Sequence, residues 1–343
     1  MRHPHGLRSA TGSGGPPTPS IAVAHTTTPF ISVYPWSSSG FGAKYSNPAT
    51  LPANSGFDVT FSPNGQNIAV GHSTTPFISI YPWSGSGFGA KYADPGTLPA
   101  GNGNGLAFSA NGSNVAVAHD NSPYVTVYPW SNSGFGTKYA NPATLPTGDG
   151  RDVSFSPNNG NIAIAHFTTP FISVYPWSGS GFGTKYSNPA TLPTNLGYSV
   201  TFSPSGADIA VGHAGSPYIS VYPWSGSGFG TKYANPGTLF TGTVFSVAFS
   251  PNGSSIAFTS NSSPYVMAYP WSSGFGTKYA DPATLPVSAS LGVAFSPDNA
   301  YIAVSQTAGS RINVYPWSPG FGAKFADPSI LPTGEARGIA FSP

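Results

Sequence analysis

The stretch Val-Thr-Phe-Ser-Pro-Asn-Gly-Gln-Asn-Ile-Ala-Val at residues 59–70 decides the fold. Its first part alternates apolar and polar residues, and its last part is a short apolar run; each has the length of a strand. Asn64-Gly65 lies between them. Asn-Gly is the strongest short-range hairpin signal, because both central residues of a type I′ turn need positive φ. The stretch therefore predicts an antiparallel β-hairpin.

The hairpin belongs to a unit of four predicted strands, at residues 57–61, 67–70, 77–81 and 88–92. The third segment is rich in β-branched and aromatic residues. Pro82 follows it and has no N–H to donate to a neighbouring strand. The loop between the third and fourth segments is Gly- and Ser-rich, and no segment has a 3.6-residue period of helical length. One unit is thus an antiparallel sheet of four strands.

The unit recurs seven times along the chain, as the tripeptide Tyr-Pro-Trp shows. Successive copies are 46 or 47 residues apart, and all seven Trp of the protein fall within the tripeptide. The copies begin at Tyr34, Tyr81, Tyr128, Tyr175, Tyr222, Tyr269 and Tyr315. A period of 20–50 residues indicates an array of structural repeats.

A single four-stranded unit cannot bury both of its faces, but radially stacked units can. The sequence therefore predicts an all-β protein, a seven-bladed β-propeller with four antiparallel strands per blade. The chain ends on a first strand, Gly338–Phe341, and the repeats begin on a second strand, Ser20–Val23. We expect the C-terminal strand to join the N-terminal blade and close the ring. Residues 20–343 then form one domain, and 1–19 are a flexible leader or a cloning remnant.

The composition supports a packed protein and excludes several function classes. Only 6% of the 343 residues are charged, yet 39% are hydrophobic and 14% aromatic, which argues against disorder despite 43 Gly and 37 Pro. A net charge of +2 argues against nucleic-acid binding. Cys is absent, which excludes disulfides, a thiolate nucleophile and Cys-ligated metal. We find no signal peptide, and no apolar run reaches the ~18 residues of a membrane span.

The segment Val-x-Phe-Ser-Pro-Asn-Gly-x-x-Ile-Ala-Val-Gly-His at residues 59–72 resembles the first hairpin of WD40 and YVTN-type propeller repeats. Ile-Ser-Ile-Tyr-Pro-Trp at 78–83 resembles their third strand, although Tyr-Pro-Trp replaces Trp-Asp. The repeats are also similar to those of uncharacterised phage and bacterial propellers. The resemblance covers residues 20–343 and implies a scaffold for binding; fold alone does not assign function.

Five histidines occupy one repeat position and are candidate binding residues. They are His25, His72, His119, His166 and His213, while Ser260 and Gln306 occupy the position in the other two units. Metal ligands must converge on one ion, whereas equivalent positions in a ring are spread apart. We therefore favour a structural role over a metal or ligand collar, and expect no metal or cofactor.

The seven tryptophans are a second candidate set, because Trp can stack on sugars or anchor a protein partner. They are Trp36, Trp83, Trp130, Trp177, Trp224, Trp271 and Trp317. The favoured interpretation places them between wedge-shaped blades. Among the carboxylates, Asp149 and Asp152 form the closest irregular pair, but Arg151 between them would neutralise one. We predict no catalytic residues.

The sequence thus predicts a non-catalytic binding or structural scaffold that presents repeated loops to a protein or another repetitive partner. A carbohydrate-binding, lectin-like propeller and a virion or surface assembly protein are the alternatives. We expect a monomer outside larger assemblies that binds neither nucleic acid nor membrane. Location stays open between the virion and the cytoplasm.

Overall fold

The structure is a computed structural model that describes residues 19–343. The predicted leader at 1–19 lies outside this part of the chain, except for its last residue. Twenty-four strands and no helix occur among the described residues, which agrees with the all-β prediction. We number the strands in chain order and group them by their place in the repeat.

The first strands of the repeat are β4 (Gly56–Phe61), β7 (Gly103–Phe108), β11 (Gly150–Phe155), β15 (Gly197–Phe202), β18 (Val244–Phe249), β21 (Ser290–Phe295) and β24 (Ala336–Phe341). The second strands are β1 (Ser20–His25), β5 (Asn67–His72), β8 (Asn114–His119), β12 (Asn161–His166), β16 (Asp208–His213), β19 (Ser255–Ser260) and β22 (Tyr301–Gln306). The third strands are β2 (Ile31–Ser37), β6 (Ile78–Pro82), β9 (Val125–Ser131), β13 (Ile172–Ser178), β17 (Ile219–Pro223), β20 (Val266–Pro270) and β23 (Ile312–Pro316). Short fourth strands are β3 (Gly40–Phe41), β10 (Gly134–Phe135) and β14 (Gly181–Phe182).

The strands form seven separate antiparallel sheets of three or four strands, one for each repeat. In six sheets the first three strands are consecutive in sequence, as in the order β4-β5-β6. The remaining sheet has the order β24-β1-β2-β3, so the last strand of the chain pairs with the first. The two ends of the repeat region therefore complete one sheet together, as the repeat phase predicts.

The junction between β24 and β1 reproduces a hairpin without its turn. In the second repeat, the N–H of Ser62 donates to the carbonyl of Asn67, and the N–H of Asn67 donates to Ser62 Oγ at 3.0 Å. Across the chain ends, the N–H of Ser342 donates to the carbonyl of Ser20, and the N–H of Ser20 donates to Ser342 Oγ, both at 2.8 Å. Non-covalent contacts thus hold this sheet in the same geometry as the others.

Each first strand contacts the first strands of the preceding and the following repeat. Strand β24 contacts β4 on one side and β21 on the other. Buried apolar residues form seven clusters, and each cluster combines residues of two adjacent sheets. The core is therefore distributed between the sheets.

The predicted fourth strand is shorter than expected. It is a two-residue strand in three sheets, and in the other four only an isolated bridge such as Trp83↔Phe88 remains. Four full strands per sheet was thus too many. The reason is Pro82 and its equivalents: Gly89 donates to the carbonyl of Pro82, but the proline has no N–H to return a ladder bond.

Candidate functional site

A β-bulge interrupts every first strand one residue after its start. In β4, Gly56 pairs with His72 and Asp58 pairs with Gly71, so that Phe57 has no partner of its own. The same shift occurs in the other six pairs. The unpaired residues are Phe57, Asn104, Arg151, Tyr198, Phe245, Leu291 and Arg337. A bulge re-aims the side chain it carries, and bulges are frequent beside active sites.

The seven unpaired side chains surround one cavity, with a volume of about 270 Å³. All of them line it, and they come from all seven sheets, so the cavity lies at one end of the space between the first strands. We call it the channel mouth. Two are cationic, three aromatic, one aliphatic and one an amide. The seven units therefore differ at this cavity, and they differ again two residues earlier, where Ser55 and its equivalents are seven different residue types.

Two carboxylates, Asp58 and Asp152, follow two of the bulged residues and also line the channel mouth. Asp58 accepts hydrogen bonds from the N–H of Val59 and from the N–H of Leu106 in the next sheet, both at 2.8 Å. Gly338 lies against this aspartate: a Cβ there would lie 2.6 Å from Asp58 Cα. Only glycine lets the two first strands approach this closely.

Asp152 makes the same kind of connection to the sheet that follows it. It accepts hydrogen bonds from the N–H of Val153 at 2.8 Å, from the N–H of Val200 at 2.9 Å and from Ser199 Oγ at 3.0 Å. Ser199 in turn accepts the N–H of Val247 at 3.2 Å. These side chains join neighbouring first strands, which offer no ladder bonds to one another.

Burial changes the acidity of both carboxyls, although each keeps some access to the channel. Burial raises the pKa of Asp58 to about 7, and repulsion by Asp152 adds to the rise, while the N–H groups of Leu106 and Val59 oppose it. Burial likewise raises the pKa of Asp152 to about 6 against the hydrogen bonds from Val200, Ser199 and Val153. Near neutral pH these groups carry less negative charge than ordinary aspartates.

The two arginines of the channel mouth stack on aromatic rings. The Arg151 guanidinium lies 4.5 Å from the centre of the Phe167 ring and 6.0 Å from that of Tyr198. The Arg337 guanidinium lies 4.9 Å from the Phe57 ring. Stacking of this kind holds a planar guanidinium in place and leaves its edge N–H groups available.

The channel continues from the mouth into a second cavity of about 360 Å³. Asp58, Asp152, Ser199 and Ser246 line both cavities. Beyond them the lining combines small or hydroxylated side chains, such as Thr60 and Ser154, with apolar residues of the first strands, such as Leu106 and Val293. Charged groups are thus confined to the mouth, and the deeper wall is neutral.

The five repeated histidines lie inside the sheets rather than in the channel. All five are fully buried. In each, Nε2 lies 2.9–3.1 Å from a hydroxyl of the third strand: Ser32, Ser79, Thr126, Ser173 or Ser220. Burial lowers the pKa of each of these histidines to about 4. They are therefore neutral at pH 7, and the structure does not bring them together.

The seven tryptophans are also buried, with at most 5% of any side chain exposed. Trp177 is typical: Tyr139, Phe155 and Phe182 pack edge-on against it, with ring centres 5.1–5.5 Å away. Tyr139 comes from the preceding repeat, so the tryptophan fills the space between two sheets. This position fits the interpretation that we favoured from the sequence. A ligand contact by either repeated set stays a prediction.

Sequence reasoning missed the channel mouth. Alternation along residues 57–61 placed Phe57 on the same face as Val59 and Phe61, whereas the bulge separates Phe57 from them. A signal was nevertheless present. Asn104, Arg151 and Arg337 occupy the position of Phe57 in other repeats, and such residues do not suit a shared core face.

No group of three or more His, Asp or Glu residues within 19–343 is arranged to hold a metal ion. In the same part of the chain, no helix is long and apolar enough to cross a membrane.

Comparison with known proteins supports the fold alone. No family model and no curated protein sequence matches the chain. Among solved structures, a putative 6-phosphogluconolactonase from Bacteroides uniformis is 14% identical, with a TM-score of 0.71 over 95% of this chain and 100% of that chain. A functionally unknown protein from Desulfotomaculum acetoxidans is 14% identical, with a TM-score of 0.69 over 94% and 98%. A protein from Lactobacillus plantarum is 12% identical, with a TM-score of 0.70 over 94% and 98%. The chain therefore has a β-propeller-like repeat fold.

Proposed function

We propose that the chain is a non-catalytic binding protein, built as a closed seven-bladed propeller, that binds a small ligand at the channel mouth. Two observations support the closed ring: β24 pairs with β1, and the neighbouring first strands follow one another without an open end. The Phe-Ser-Pro-Asn-Gly hairpin and Tyr-Pro-Trp third strand support a place among WD40-like or YVTN-like repeats.

One observation carries the proposed site: the bulged residues that line the channel mouth are of five different types in the seven repeats. Elsewhere the repeated side chains are used in packing, as the buried His and Trp sets illustrate. A structural requirement alone would favour one residue type at all seven equivalent positions. Seven bulged residues of mixed charge and shape around a single cavity instead suit an asymmetric ligand.

The contacts of the two channel carboxylates favour binding over chemistry. Both oxygens of Asp58 accept backbone N–H groups, and Asp152 accepts two N–H groups and a hydroxyl. A carboxylate used in this way is held as a structural acceptor between sheets. A catalytic nucleophile needs a neighbouring base within hydrogen-bond reach, and all five repeated His are buried away from the channel.

The test is to block the channel mouth and follow ligand binding. A library of small neutral and charged molecules is screened by ligand-observed NMR against the unmodified protein and against Leu291→Trp, which adds bulk at a bulged position. Ile330→Trp, at a side chain that is 58% exposed, is the matched control. We expect hits that bind the unmodified protein and the control, fail to bind Leu291→Trp, and are recovered chemically unchanged. Binding insensitive to Leu291→Trp contradicts the site.

A second candidate surface lies at the opposite end of the strands. Five loops after Trp carry the pattern Ser-x-Ser, and in each the two hydroxyls are hydrogen-bonded at 2.7–2.8 Å. These exposed, equivalent loops favour multivalent contact with a repetitive glycan or protein surface, as in a lectin or a virion component. A glycan array probed with the unmodified protein and with Ser86→Arg/Ser180→Arg tests it; equal signals from both would count against these loops.

Hydrolysis is the competing outcome, because one solved structure with this fold is described as a putative 6-phosphogluconolactonase. Incubation with 6-phosphogluconolactone, beside an Asp58→Asn/Asp152→Asn variant, tests it directly. We expect the same rate of ring opening with both proteins as in buffer. Faster opening by the unmodified protein alone would overturn the non-catalytic assignment.

A further inference from the structure

The channel mouth contains a cation whose hydrogen-bonding capacity the protein does not use. The Arg151 guanidinium forms no hydrogen bond and no ion pair with any residue of 19–343, and two aromatic rings lie against it. A guanidinium has five N–H donors in a fixed planar fork. Donors of such a fork that no protein group uses can pair with an incoming acceptor group without the loss of a protein contact.

The second cation of the mouth is also incompletely satisfied. Arg337 is 3.3 Å from Glu335 through one terminal nitrogen, and this pair is largely exposed and therefore weak. Its Nε is buried and has no hydrogen-bond partner among the described residues. The Phe57 ring holds the guanidinium over the cavity.

The two arginines repel each other across the mouth. They lie on β11 and β24, in different sheets, and line the same cavity. Burial lowers the pKa of Arg151, and repulsion by Arg337 adds to the fall. An anion between them would convert this repulsion into two attractions.

The neighbouring carboxylates balance the charge of this pair only in part. Backbone and hydroxyl donors occupy Asp58 and Asp152, and Asn102 donates to both oxygens of Asp120, through its backbone N–H and its side-chain amide. Asp149 and Asp120 attract Arg151, but neither forms an ion pair with it.

The remaining walls of the mouth limit the size and character of a ligand. Tyr198, Phe245 and Leu291 supply an apolar surface, and the rings of Tyr198 and Phe245 pack edge-on with centres 5.1 Å apart. The cavity volume, about 270 Å³, is near the lower limit of ordinary ligand pockets. The carboxylates at the base of the mouth disfavour a second negative group deeper in the channel.

We propose that the channel mouth binds a small organic anion, whose single carboxylate or phosphate group lies between Arg151 and Arg337 and whose apolar body packs against Tyr198, Phe245 and Leu291. This inference rests on the proposed function, since it names the ligand class of the same site. Guanidinium forks pair with carboxylate and phosphate oxygens through charge-assisted hydrogen bonds, which are the strong ones.

The experiment measures the affinity of the full chain for benzoate, phenyl phosphate, inorganic phosphate and the neutral benzyl alcohol by ligand-observed NMR and calorimetry. We expect benzoate or phenyl phosphate to bind at least about tenfold more tightly than benzyl alcohol, because one charge-assisted contact is worth that much. Comparison of benzoate with phenyl phosphate identifies the preferred oxyanion. Inorganic phosphate should bind more weakly than phenyl phosphate, since it lacks the apolar body.

The variants Arg151→Gln, Arg337→Gln and the double substitution identify the contacts. Each single change should weaken the anion about tenfold and the double change about a hundredfold, with no effect on benzyl alcohol. Lys185→Gln removes the same charge from the outer rim, by which we mean the segment after each Gly-Phe-Gly that carries one Lys per repeat. It should change affinity less than about twofold. A circular-dichroism melt of every variant controls for folding.

The outcomes separate the inference from the function on which it rests. Equal affinity for benzoate, phenyl phosphate and benzyl alcohol, abolished by Leu291→Trp, would overturn the anion assignment and leave the proposed site standing. Binding of anions that Lys185→Gln weakens as much as Arg151→Gln would also overturn it, because the effect would be one of net charge. Failure of every probe and every library member to bind at the mouth would overturn both.

Discussion

The residues between neighbouring sheets are nearly the same in all seven repeats, whereas the residues at the channel mouth vary from repeat to repeat. Between sheets, the same side chains recur in every repeat: a buried Trp, a buried Tyr of the same tripeptide and a Phe of the first strand. At the mouth, Phe57, Asn104, Arg151 and their equivalents differ from sheet to sheet. Only one residue, Asp58 or its equivalent, separates the bulged position from the buried Val59 position in the first strand.

This difference teaches how a highly repetitive chain can contain one asymmetric site. The bulged residue has no ladder partner of its own and faces the channel, so its replacement leaves the strand pairing and the Trp-centred packing between sheets in place. The residues between sheets, by contrast, must fit a space of the same shape in all seven repeats. We therefore expect stability to depend on the constant positions and ligand binding on the variable ones, and the following substitutions test that division.

Deletion of residues 337–343 should have the largest effect. It removes most of β24, whose Ile339 and Phe341 are each at least 91% buried and which contacts β1, β4 and β21. Burial of two such side chains contributes roughly 3–6 kcal/mol, a large part of a typical total stability of about 5–15 kcal/mol. We expect loss of the cooperative thermal transition, measured by circular dichroism.

The control for this deletion is Arg337→Gln in the full chain, which alters the channel mouth and leaves the strand in place. Its melting temperature should stay within a few degrees of that of the unmodified protein. A deletion variant that melts with the unmodified protein would show that the sheets do not depend on the closure between β24 and β1.

Trp177→Ala should have the next largest effect. The tryptophan is 5% exposed and has three aromatic neighbours from two repeats. Truncation of a buried Trp costs about 3–5 kcal/mol, through lost burial and the cavity left behind. Leu291→Ala at the mouth is the comparison and should cost less than about 1 kcal/mol. Urea unfolding measures both; similar costs would remove the distinction between the two regions.

Much of the fold was predictable because seven copies of one unit show which residues recur and at what spacing. Seven copies of Tyr-Pro-Trp fixed the number of sheets, and the strand missing from each end indicated that β24 completes the first one. The short fourth strand was not predicted. The Gly-Phe-Gly segment has strand-like residues, but the proline opposite cannot return a hydrogen bond, and pattern reasoning along one segment does not consider its partner.

The site was less predictable because a bulge breaks the period-two rule on which strand prediction depends. Phe57 was therefore grouped with Val59 and Phe61, and Asp152 was considered only as the partner of Asp149 across Arg151. In the structure Asp152 is a strand residue that joins β11 to β15. The five histidines stood out in the sequence because they repeat, and repetition proved to mark packing.

The buried histidines predict a loss of stability in acid. Each has a pKa of about 4 in the folded protein against 6.5 in an unfolded chain, so the unfolded state binds protons first. Stability should fall from about pH 6.5 towards pH 4, by at most about 1.4 kcal/mol per pH unit for each histidine. His166→Gln introduces the residue that Gln306 supplies at the equivalent position. It should reduce by one the number of protons bound on unfolding and so make the fall in stability less steep. Urea titrations at several pH values measure it.

The channel carboxylates should oppose that trend. The pKa of Asp58 is raised above its unfolded value, so its contribution grows as the pH falls from about 7 towards 4 and is lost in the other direction. Asp58→Asn should therefore make the acid loss steeper, whereas His166→Gln makes it shallower. The same direction of change in both variants would mean that burial does not control these groups as described.

Lys91→Gln should have the smallest effect and tests whether the outer rim behaves like the space between sheets. Lys91 pairs with Asp94, and Lys185 hydrogen-bonds to Asn188 at the equivalent position, so the chain supplies a charged and a neutral partner in one geometry. The carboxyl side of the pair is 45% exposed, and exposed ion pairs contribute about 0–1 kcal/mol. Lys91→Gln and Lys185→Gln should therefore differ by less than about 0.5 kcal/mol in urea unfolding, and the difference should vanish in high salt. A loss of unfolding free energy near that of Trp177→Ala would mean that the outer rim stabilises the fold as the residues between sheets do. Repetition alone would then identify the residues on which the fold depends.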